Sequence, residues 1–178
     1  MRSYLKSFKK NVGFTLIELL VVIGILGVLA AALIATIDPF EQLKKAQDAN
    51  AKNTTVEFVD GSIRYYTTHN ALPWSDSAQV TCVGAGLPSG EALTTARMSS
   101  CLDALITDGE LKTGFTTVTS VLSSLLVTGG QNGVTSCFLP QSKSQQRDPN
   151  TKYTSTGGAG SQCVSQGGNQ TNCYWCSQ

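Results

Sequence analysis

The stretch Gly13–Ile37 reads "GFTLIELLVVIGILGVLAAALIATI" and is almost entirely apolar, with one charged residue, Glu18. From Phe14 to Ile37 there are 24 residues, and a helix of that length would be about 36 Å long, enough to cross a bilayer core of about 30 Å. The run is also longer than the roughly 7–15 apolar residues of an ordinary secretory signal. We therefore predict an apolar helix over residues 14–38 that inserts into a membrane. Glu18 needs an explanation, because a carboxylate inside such a helix costs about 2.5–3.5 kcal/mol on insertion scales.

Charge is unevenly distributed along the chain. Residues 1–13 contain four basic residues and no acid, whereas the remainder carries nine Lys and Arg against twelve Asp and Glu. A short basic head before an apolar helix predicts that the head stays in the cytoplasm while the following residues insert or cross. Beyond Lys44–Lys45 the rest of the chain has no basic cluster, which argues against a nucleic-acid-binding face.

An amphipathic helix is predicted over residues 39–70. Asp38 and Pro39 end the apolar run, and proline suits the first turn of a continuing helix with Asp38 as its cap. Apolar side chains then recur at three- and four-residue steps, which predicts one buried helix face. They are Phe40, Leu43, Ala46, Ala49, Val56, Val59, Ile63 and Tyr66, with Asn53 as a polar exception. We expect this helix to end near His69 and to form one long helix with the apolar segment.

Residues 71–178 are predicted to form a globular domain. We expect a helix from Glu91 to Thr107, stopped by Gly109; its inward side chains would be Leu93, Ala96, Met98, Cys101 and Leu105. Four short runs rich in Thr, Val and aromatic residues predict strands; they are "GFTTVT" (114–119), "SSLLVTG" (123–129), "GVTSCFLP" (133–140) and "NCYWCSQ" (172–178). Residues 142–172 contain few apolar side chains and are expected to form a loop held by Cys163. The predicted fold class is α+β, in which a long N-terminal helix packs on a small antiparallel sheet with a short extra helix.

The six cysteines all lie beyond residue 81. An even number confined to the part of the chain that would be exported predicts disulfides formed in an oxidising compartment. The cysteines are Cys82, Cys101, Cys137, Cys163, Cys173 and Cys176. Sequence proximity favours a bond between Cys82 and Cys101, and we expect Cys137 to pair with either Cys173 or Cys176.

Cys173 and Cys176 also have C-x-x-C spacing, which fits a redox centre or half of a zinc site. The motif lies in a strand-like segment rather than at a helix N-terminus, and His69 is the only histidine. We therefore interpret both cysteines as structural and His69 as a helix-ending or surface residue. No catalytic set of side chains, cofactor or metal site is predicted, so the chain is not expected to be an enzyme.

A cut between Gly13 and Phe14 would explain Glu18. The cut creates an α-amino group at Phe14, four residues and one helical turn from the carboxylate. Glu18 would then also lie near the positive end of the helix dipole. The ion pair could form within one chain or with the new N-terminus of a neighbouring subunit.

These residues resemble the N-terminus of type IV pilins and type II secretion pseudopilins. The resemblance rests on the basic leader, on Gly13, Phe14, Thr15, Leu16, Ile17 and Glu18, and on the apolar run, and it covers roughly residues 1–48. It implies that a prepilin peptidase cuts after Gly13 and methylates Phe14, and that Glu18 acts in assembly. The chain departs from many family members in having no proline inside the apolar helix, so helix softening would depend on Gly24, Gly27 or Pro39.

The resemblance also implies location and partners. The subunit is expected to cross the cytoplasmic membrane once with residues 71–178 outside, and then to enter an extracellular or periplasmic filament of identical and related subunits. Its partners would be the prepilin peptidase, the membrane assembly machinery and lipid, with no nucleic acid for the bulk subunit. Some pseudopilins carry calcium in the C-terminal region, which makes Asp148 and Asn150 weak calcium candidates beside the simpler interpretation as a turn. Two alternatives stay open: a low-copy minor pilin that binds a ligand in adhesion or DNA uptake, and a membrane-tethered thiol oxidoreductase using Cys173 and Cys176.

Overall fold

The computed structural model describes residues 13–36, 38–79, 82, 86–160, 163 and 172–178. The chain divides into two compact units, with the boundary after Pro39. The predicted leader and Ile37 lie outside the described residues, apart from Gly13 at the leader's end.

The first unit contains helix α1, Leu16–Thr36. Its side chains from Leu16 to Ile34 are all exposed, and this segment is long and apolar enough to cross a membrane. Among the described residues it is the one helix that meets that test. The apolar helix predicted from the sequence is therefore present.

Helix α2 runs from Pro39 to His69 and belongs, from Phe40 onward, to the second unit. We predicted one long helix, but the structure has two helices, and Asp38 between them is not helical. Proline lacks a backbone N–H and disfavours helical geometry in the residue before it, which accounts for the interruption. Pro39 is instead the first helical residue of α2, the position that proline tolerates best.

The buried face of α2 differs from the predicted one. The buried residues are Asp48, Ala51, Thr55, Phe58, Val59, Gly61, Ser62 and Tyr65. Of the predicted apolar set only Val59 is buried and Tyr66 half-buried, whereas Phe40, Leu43, Ala46, Ala49, Val56 and Ile63 are exposed. Polar residues occupy the core face because their hydrogen bonds are made internally: the Thr55 hydroxyl donates to the carbonyl of Ala51 at 2.7 Å, and the Ser62 hydroxyl donates to the carbonyl of Phe58 at 2.9 Å.

A five-stranded antiparallel sheet packs against α2. The strands are β1 (Glu91–Ala92), β2 (Leu125–Gly129), β3 (Val134–Phe138), β4 (Thr151–Tyr153) and β5 (Tyr174–Ser177), in the spatial order β1-β2-β3-β5-β4. Leu125 lies opposite Phe138, and Cys137 lies opposite Cys176. One hydrophobic core joins α2 to side chains of β2, β3 and β5 and to helix α3, Ala96–Thr107. The predicted α+β architecture is confirmed.

Helix α3 begins later than predicted. Its N-cap is Thr95, whose hydroxyl accepts a hydrogen bond from the N–H of Met98 at 3.3 Å, while Glu91 and Ala92 form strand β1. Met98, Cys101 and Leu105 face inward as expected, but Ala96 is exposed and Leu93 is buried ahead of the helix. Gly109 has a φ of +79° after the helix end, a backbone conformation that glycine adopts without steric cost.

Three of the four strands predicted in the second half of the domain are present. The runs at 123–129, 133–140 and 172–178 contain β2, β3 and β5. The run at 114–119 is not a strand: Thr113–Thr117 is a 3₁₀ helix, followed by the short helix α4, Thr119–Leu122. The Thr117 hydroxyl donates to the carbonyl of Gly114 at 2.6 Å, a local bond that competes with sheet pairing.

The predicted loop 142–172 contains two short elements that we did not expect. They are helix α5, Lys143–Gln146, and strand β4 at one edge of the sheet. Residues 161–162 and 164–171 of this loop lie outside the described residues.

Trp74 fixes the loop after α2 to the end of the β2–β3 hairpin. Its side chain is 2% exposed, and its indole N–H donates to the carbonyl of Gly130 at 3.0 Å. A Cβ at Gly129 would lie 2.6 Å from two Trp74 ring atoms and 2.8 Å from Pro88 Cγ. Glycine is therefore required at position 129 for the indole ring to lie against the strand.

Replacing Gly129 with alanine is expected to lower the free energy of unfolding by about 1–3 kcal/mol, because the rigid indole ring must move. The measurement is urea unfolding of the detergent-solubilised chain, followed by tryptophan fluorescence. Gly114→Ala is the matched control, since a Cβ there meets no atom within 4 Å. Equal stability of the two variants would contradict this account of Gly129.

Candidate functional site

The start of α1 is organised by a reciprocal pair of hydrogen bonds between Thr15 and Glu18. The Glu18 carboxylate accepts a bond from the backbone N–H of Thr15 at 2.9 Å, and the Thr15 hydroxyl accepts one from the backbone N–H of Glu18 at 3.3 Å. The Thr15 hydroxyl also lies 2.8 Å from the same carboxylate oxygen, Oε2. This arrangement is a capping box, which satisfies backbone N–H groups that would otherwise have no partner at the helix N-terminus.

The capping box gives Glu18 a partner in the uncut chain. The T-x-x-E spacing of Thr15 and Glu18 is a recognised sequence signal for a helix start, and our sequence analysis did not use it. Both bonds to Thr15 are made by Oε2, and within the described residues Oε1 accepts no hydrogen bond. The carboxylate therefore keeps one oxygen for a second donor.

Gly13 and Phe14 precede the helix in non-helical backbone and are exposed, with Phe14 80% exposed. A Cβ at Gly13 would meet no other atom within 4 Å. The bond between these residues is therefore unobstructed by the described part of the chain. The ion pair that we predicted between Glu18 and a Phe14 amine requires a cut at this bond.

Comparison with protein families adds one finding. Residues 9–34 match the family model described as the prokaryotic N-terminal methylation motif. The chain carries a prokaryotic N-terminal methylation motif. The match includes Gly13, Phe14 and Glu18 and supports the resemblance to type IV pilins and pseudopilins. Searches of curated proteins and of solved structures found no significant match to the chain.

Three disulfides hold the globular domain, and together they include all six cysteines. Cys82 is bonded to Cys101, the pair favoured by proximity, and Cys137 is bonded to Cys176, one of its two expected partners. Cys163 is bonded to Cys173. The second bond joins directly opposed residues of β3 and β5, and so links the last strand to the centre of the sheet.

The C-x-x-C spacing does not produce a redox centre in this structure. Cys173 and Cys176 are bonded to different partners in different parts of the domain. A C-x-x-C oxidoreductase needs a reactive, accessible pair, whereas Cys176 is 9% exposed and Cys173 is 5% exposed. The geometry gives no support to the thiol oxidoreductase alternative.

Asp148 and Asn150 lie in a turn. The Asp148 carboxylate accepts hydrogen bonds from the backbone N–H of Asn150 at 2.8 Å and from the Gln145 side-chain amide at 3.2 Å. In the described part of the chain no group of three acidic, histidine or cysteine side chains is placed to hold a metal ion. The turn interpretation accounts for both residues.

A groove of about 640 Å³ lies between the end of α2 and the β2–β3 hairpin. Ile63, Tyr66, Leu72 and Val134 supply its apolar surface, and glycines of the hairpin leave it open. Its described lining contains no carboxylate, histidine, cysteine, lysine or arginine side chain. Tyr66 is the one side chain of this described lining with a titratable group.

His69 ends α2, as expected, and stacks on Tyr65 with the ring centres 4.0 Å apart. The Tyr65 hydroxyl donates to the Asp76 carboxylate at 2.7 Å. Burial, and then this hydrogen bond, raise the pKa of Tyr65 to about 12. The backbone N–H of Ala78, and then the Tyr65 hydroxyl, lower the pKa of Asp76.

Asp76→Asn is expected to lower the free energy of unfolding by about 1.5–3 kcal/mol near pH 7, because hydrogen bonds to a charged group are lost. Because the pKa of Asp76 is lower in the folded state than in the unfolded state, its ionised carboxylate stabilises the fold above the unfolded-state pKa of about 3.9. This stabilisation is lost as pH falls through the folded-state pKa. The difference between variant and wild type should therefore shrink in acid. Urea unfolding measured from pH 7 to pH 2 checks this, with Asp103→Asn as an exposed control. A difference that stays constant with pH would contradict the role given to the charge.

Proposed function

We propose that this chain is a structural subunit of a type IV pilus-like or type II secretion pseudopilus filament. The methylation motif at residues 9–34 carries the proposal. The exposed apolar helix that makes up most of the motif and the disulfide-bonded α+β domain agree with it. The function is assembly rather than catalysis.

Helix α1 has two environments in this mechanism. Before assembly, lipid surrounds its apolar side chains, and the cationic leader stays on the cytoplasmic side with the domain outside. In the filament the same side chains are buried among the helices of neighbouring subunits. Gly24 and Gly27 face no other group within 4 Å in the described part of the chain, and small residues like these let neighbouring helices approach closely.

Glu18 links processing to assembly. A prepilin peptidase would cut after Gly13 and methylate Phe14, which leaves a cationic amine next to the capping box. Glu18 Oε2 is held by Thr15, while Oε1 is directed to no described donor. The new amine, in the same subunit or in a neighbour, is the donor that Oε1 would receive. The assembly machinery in the membrane would then add the subunit to a surface or periplasmic filament.

Glu18→Ala is expected to leave membrane insertion intact and to reduce incorporation into filaments about tenfold or more, as the loss of a charge-assisted bond of about 1.5–3 kcal/mol predicts. The measurement is immunoblotting of membrane and sheared-filament fractions from cells that make the variant.

Thr15→Ser is the matched control, because serine keeps the hydroxyl of the capping box and should assemble normally. Thr15→Val should assemble less well than Thr15→Ser, since it keeps the backbone N–H but loses the hydroxyl. Normal filaments from Glu18→Ala would refute the role assigned to the carboxylate.

A further inference from the structure

The last four cysteines are paired in a nested pattern. Cys163 is bonded to Cys173 across 10 residues, and this loop lies inside the 39 residues that separate Cys137 from Cys176. Four cysteines allow three pairings. One of them, which we call the neighbour pairing, joins cysteines that follow each other along the chain: Cys137 with Cys163, and Cys173 with Cys176. The native pairing is a different one.

Chain statistics favour the neighbour pairing before the domain has folded. Its two bonds close loops of 26 and 3 residues, from the differences between the cysteine positions, whereas the native bonds close loops of 39 and 10 residues. Loop closure becomes rarer roughly as the 3/2 power of loop length, so the neighbour pairing is favoured about tenfold in an unfolded chain. The order of arrival acts in the same direction, because under the proposed topology the first two of these cysteines cross the membrane before the last two.

A chain with the neighbour pairing cannot complete the sheet. Residues three apart in a strand are separated by about 10 Å, whereas the Cα atoms of a disulfide are usually about 4.4–6.8 Å apart. A bond between Cys173 and Cys176 is therefore incompatible with the extended backbone of β5, Tyr174–Ser177. Trp175, which is 8% exposed and lies with its ring centre 5.6 Å from that of Phe138, would lose its place in the core.

The oxidised chain holds no thiol with which to correct this error. Its six cysteines are all described and all form disulfides, and the neighbour pairing together with Cys82–Cys101 would also use all six. Disulfides rearrange by attack of a thiolate on a disulfide sulfur, so the thiolate has to come from another molecule. Cys137 is fully buried in the finished fold. The attack therefore has to precede closure of the sheet.

We propose that the exported chain is a substrate of a thiol–disulfide isomerase, which converts the neighbour pairing into the native one. Oxidation comes first: each of the three bonds formed transfers two electrons and two protons to a disulfide of an oxidase, which becomes a dithiol. The isomerase is a second partner, defined by a reduced and accessible thiolate on the outer side of the membrane. The inference uses the topology proposed above and does not depend on the filament role.

Three exchange steps produce the native bonds with no net oxidation. The isomerase thiolate attacks the Cys176 sulfur, which forms a mixed disulfide and releases Cys173 as a thiolate. Cys173 then attacks the sulfur of Cys163 in its bond to Cys137, which forms the native Cys163–Cys173 disulfide and releases the Cys137 thiolate. Cys137 finally attacks Cys176 in the mixed disulfide, which forms the second native bond and releases the isomerase thiolate.

Oxidative refolding of the detergent-solubilised full-length chain tests the proposal. The reduced chain is diluted from urea into detergent buffer that contains diamide, which oxidises thiols to disulfides and leaves no free thiol. Chymotryptic cleavage after Tyr153 and Tyr174, followed by mass spectrometry, reads the pairing. The native pairing closes the peptide 154–174 on itself, whereas the neighbour pairing joins that peptide to those of Cys137 and Cys176.

With diamide alone, the wild-type chain is expected to show the neighbour pairing about tenfold more often than the native one, as the loop lengths predict. Reduced protein disulfide isomerase, added in catalytic amount after diamide is removed, should convert most of the chain to the native pairing. The oxidised form of the same enzyme carries no thiolate and should leave the pairing unchanged.

Two double variants separate nesting from the number of cysteines. Cys163→Ser/Cys173→Ser makes Cys137 and Cys176 consecutive, so their native bond should form with diamide alone. Cys82→Ser/Cys101→Ser is the matched control: it also removes one disulfide but keeps the nested pairs, and it should still require the reduced isomerase.

Two results would overturn the inference. One is native pairing of the wild-type chain with diamide alone, a measurement that needs no variant. The other is the same requirement for reduced isomerase in both double variants. Because the experiment reads disulfide pairing and not filaments, either result would leave the proposed function standing.

Discussion

A carboxylate in an apolar helix must have donors, and Thr15 supplies them to Glu18. The capping box holds one carboxylate oxygen at the first turn of α1, so the negative charge lies at the helix end where the dipole favours it. The two hydrogen bonds between Thr15 and Glu18 hold this first turn in place. The turn begins close to the peptide bond between Gly13 and Phe14. Under the proposed function, the cut, the amine that it would release and the helix proposed to pack in a filament all lie beside this one carboxylate.

The need of a carboxylate for hydrogen-bond donors also determines how Asp48 is placed in the globular domain. Asp48 is buried without a cation, and backbone N–H groups and a hydroxyl stabilise it, as burial of a charge requires. Asp48 thereby ties residues 141–142, before helix α5, to helix α2.

Strong local signals predicted most of the architecture. The apolar helix, the α+β class, three strands and the Cys82–Cys101 disulfide follow from composition, periodicity and spacing. For Cys137 the sequence left two partners open, Cys173 and Cys176, and the structure has the second. The buried face of α2 did not, because Thr55 and Ser62 satisfy their hydroxyls within the helix and so pack like apolar residues. The burial of Asp48 depends on a loop more than ninety residues away in sequence. The capping box could have been predicted from the T-x-x-E spacing of Thr15 and Glu18, a helix-start signal that we did not apply.

Mass spectrometry of the N-terminal peptide, from protein isolated from the cells that naturally make it, tests the central claim most directly. The account predicts a peptide that begins at Phe14 and carries one methyl group on its α-amino nitrogen, because residues 9–34 match a methylation motif and the proposed partner of Glu18 is that amine. A peptide that still begins at Met1, in protein recovered from filaments or membranes, would contradict the account, since Glu18 would then have Thr15 as its partner and no cation.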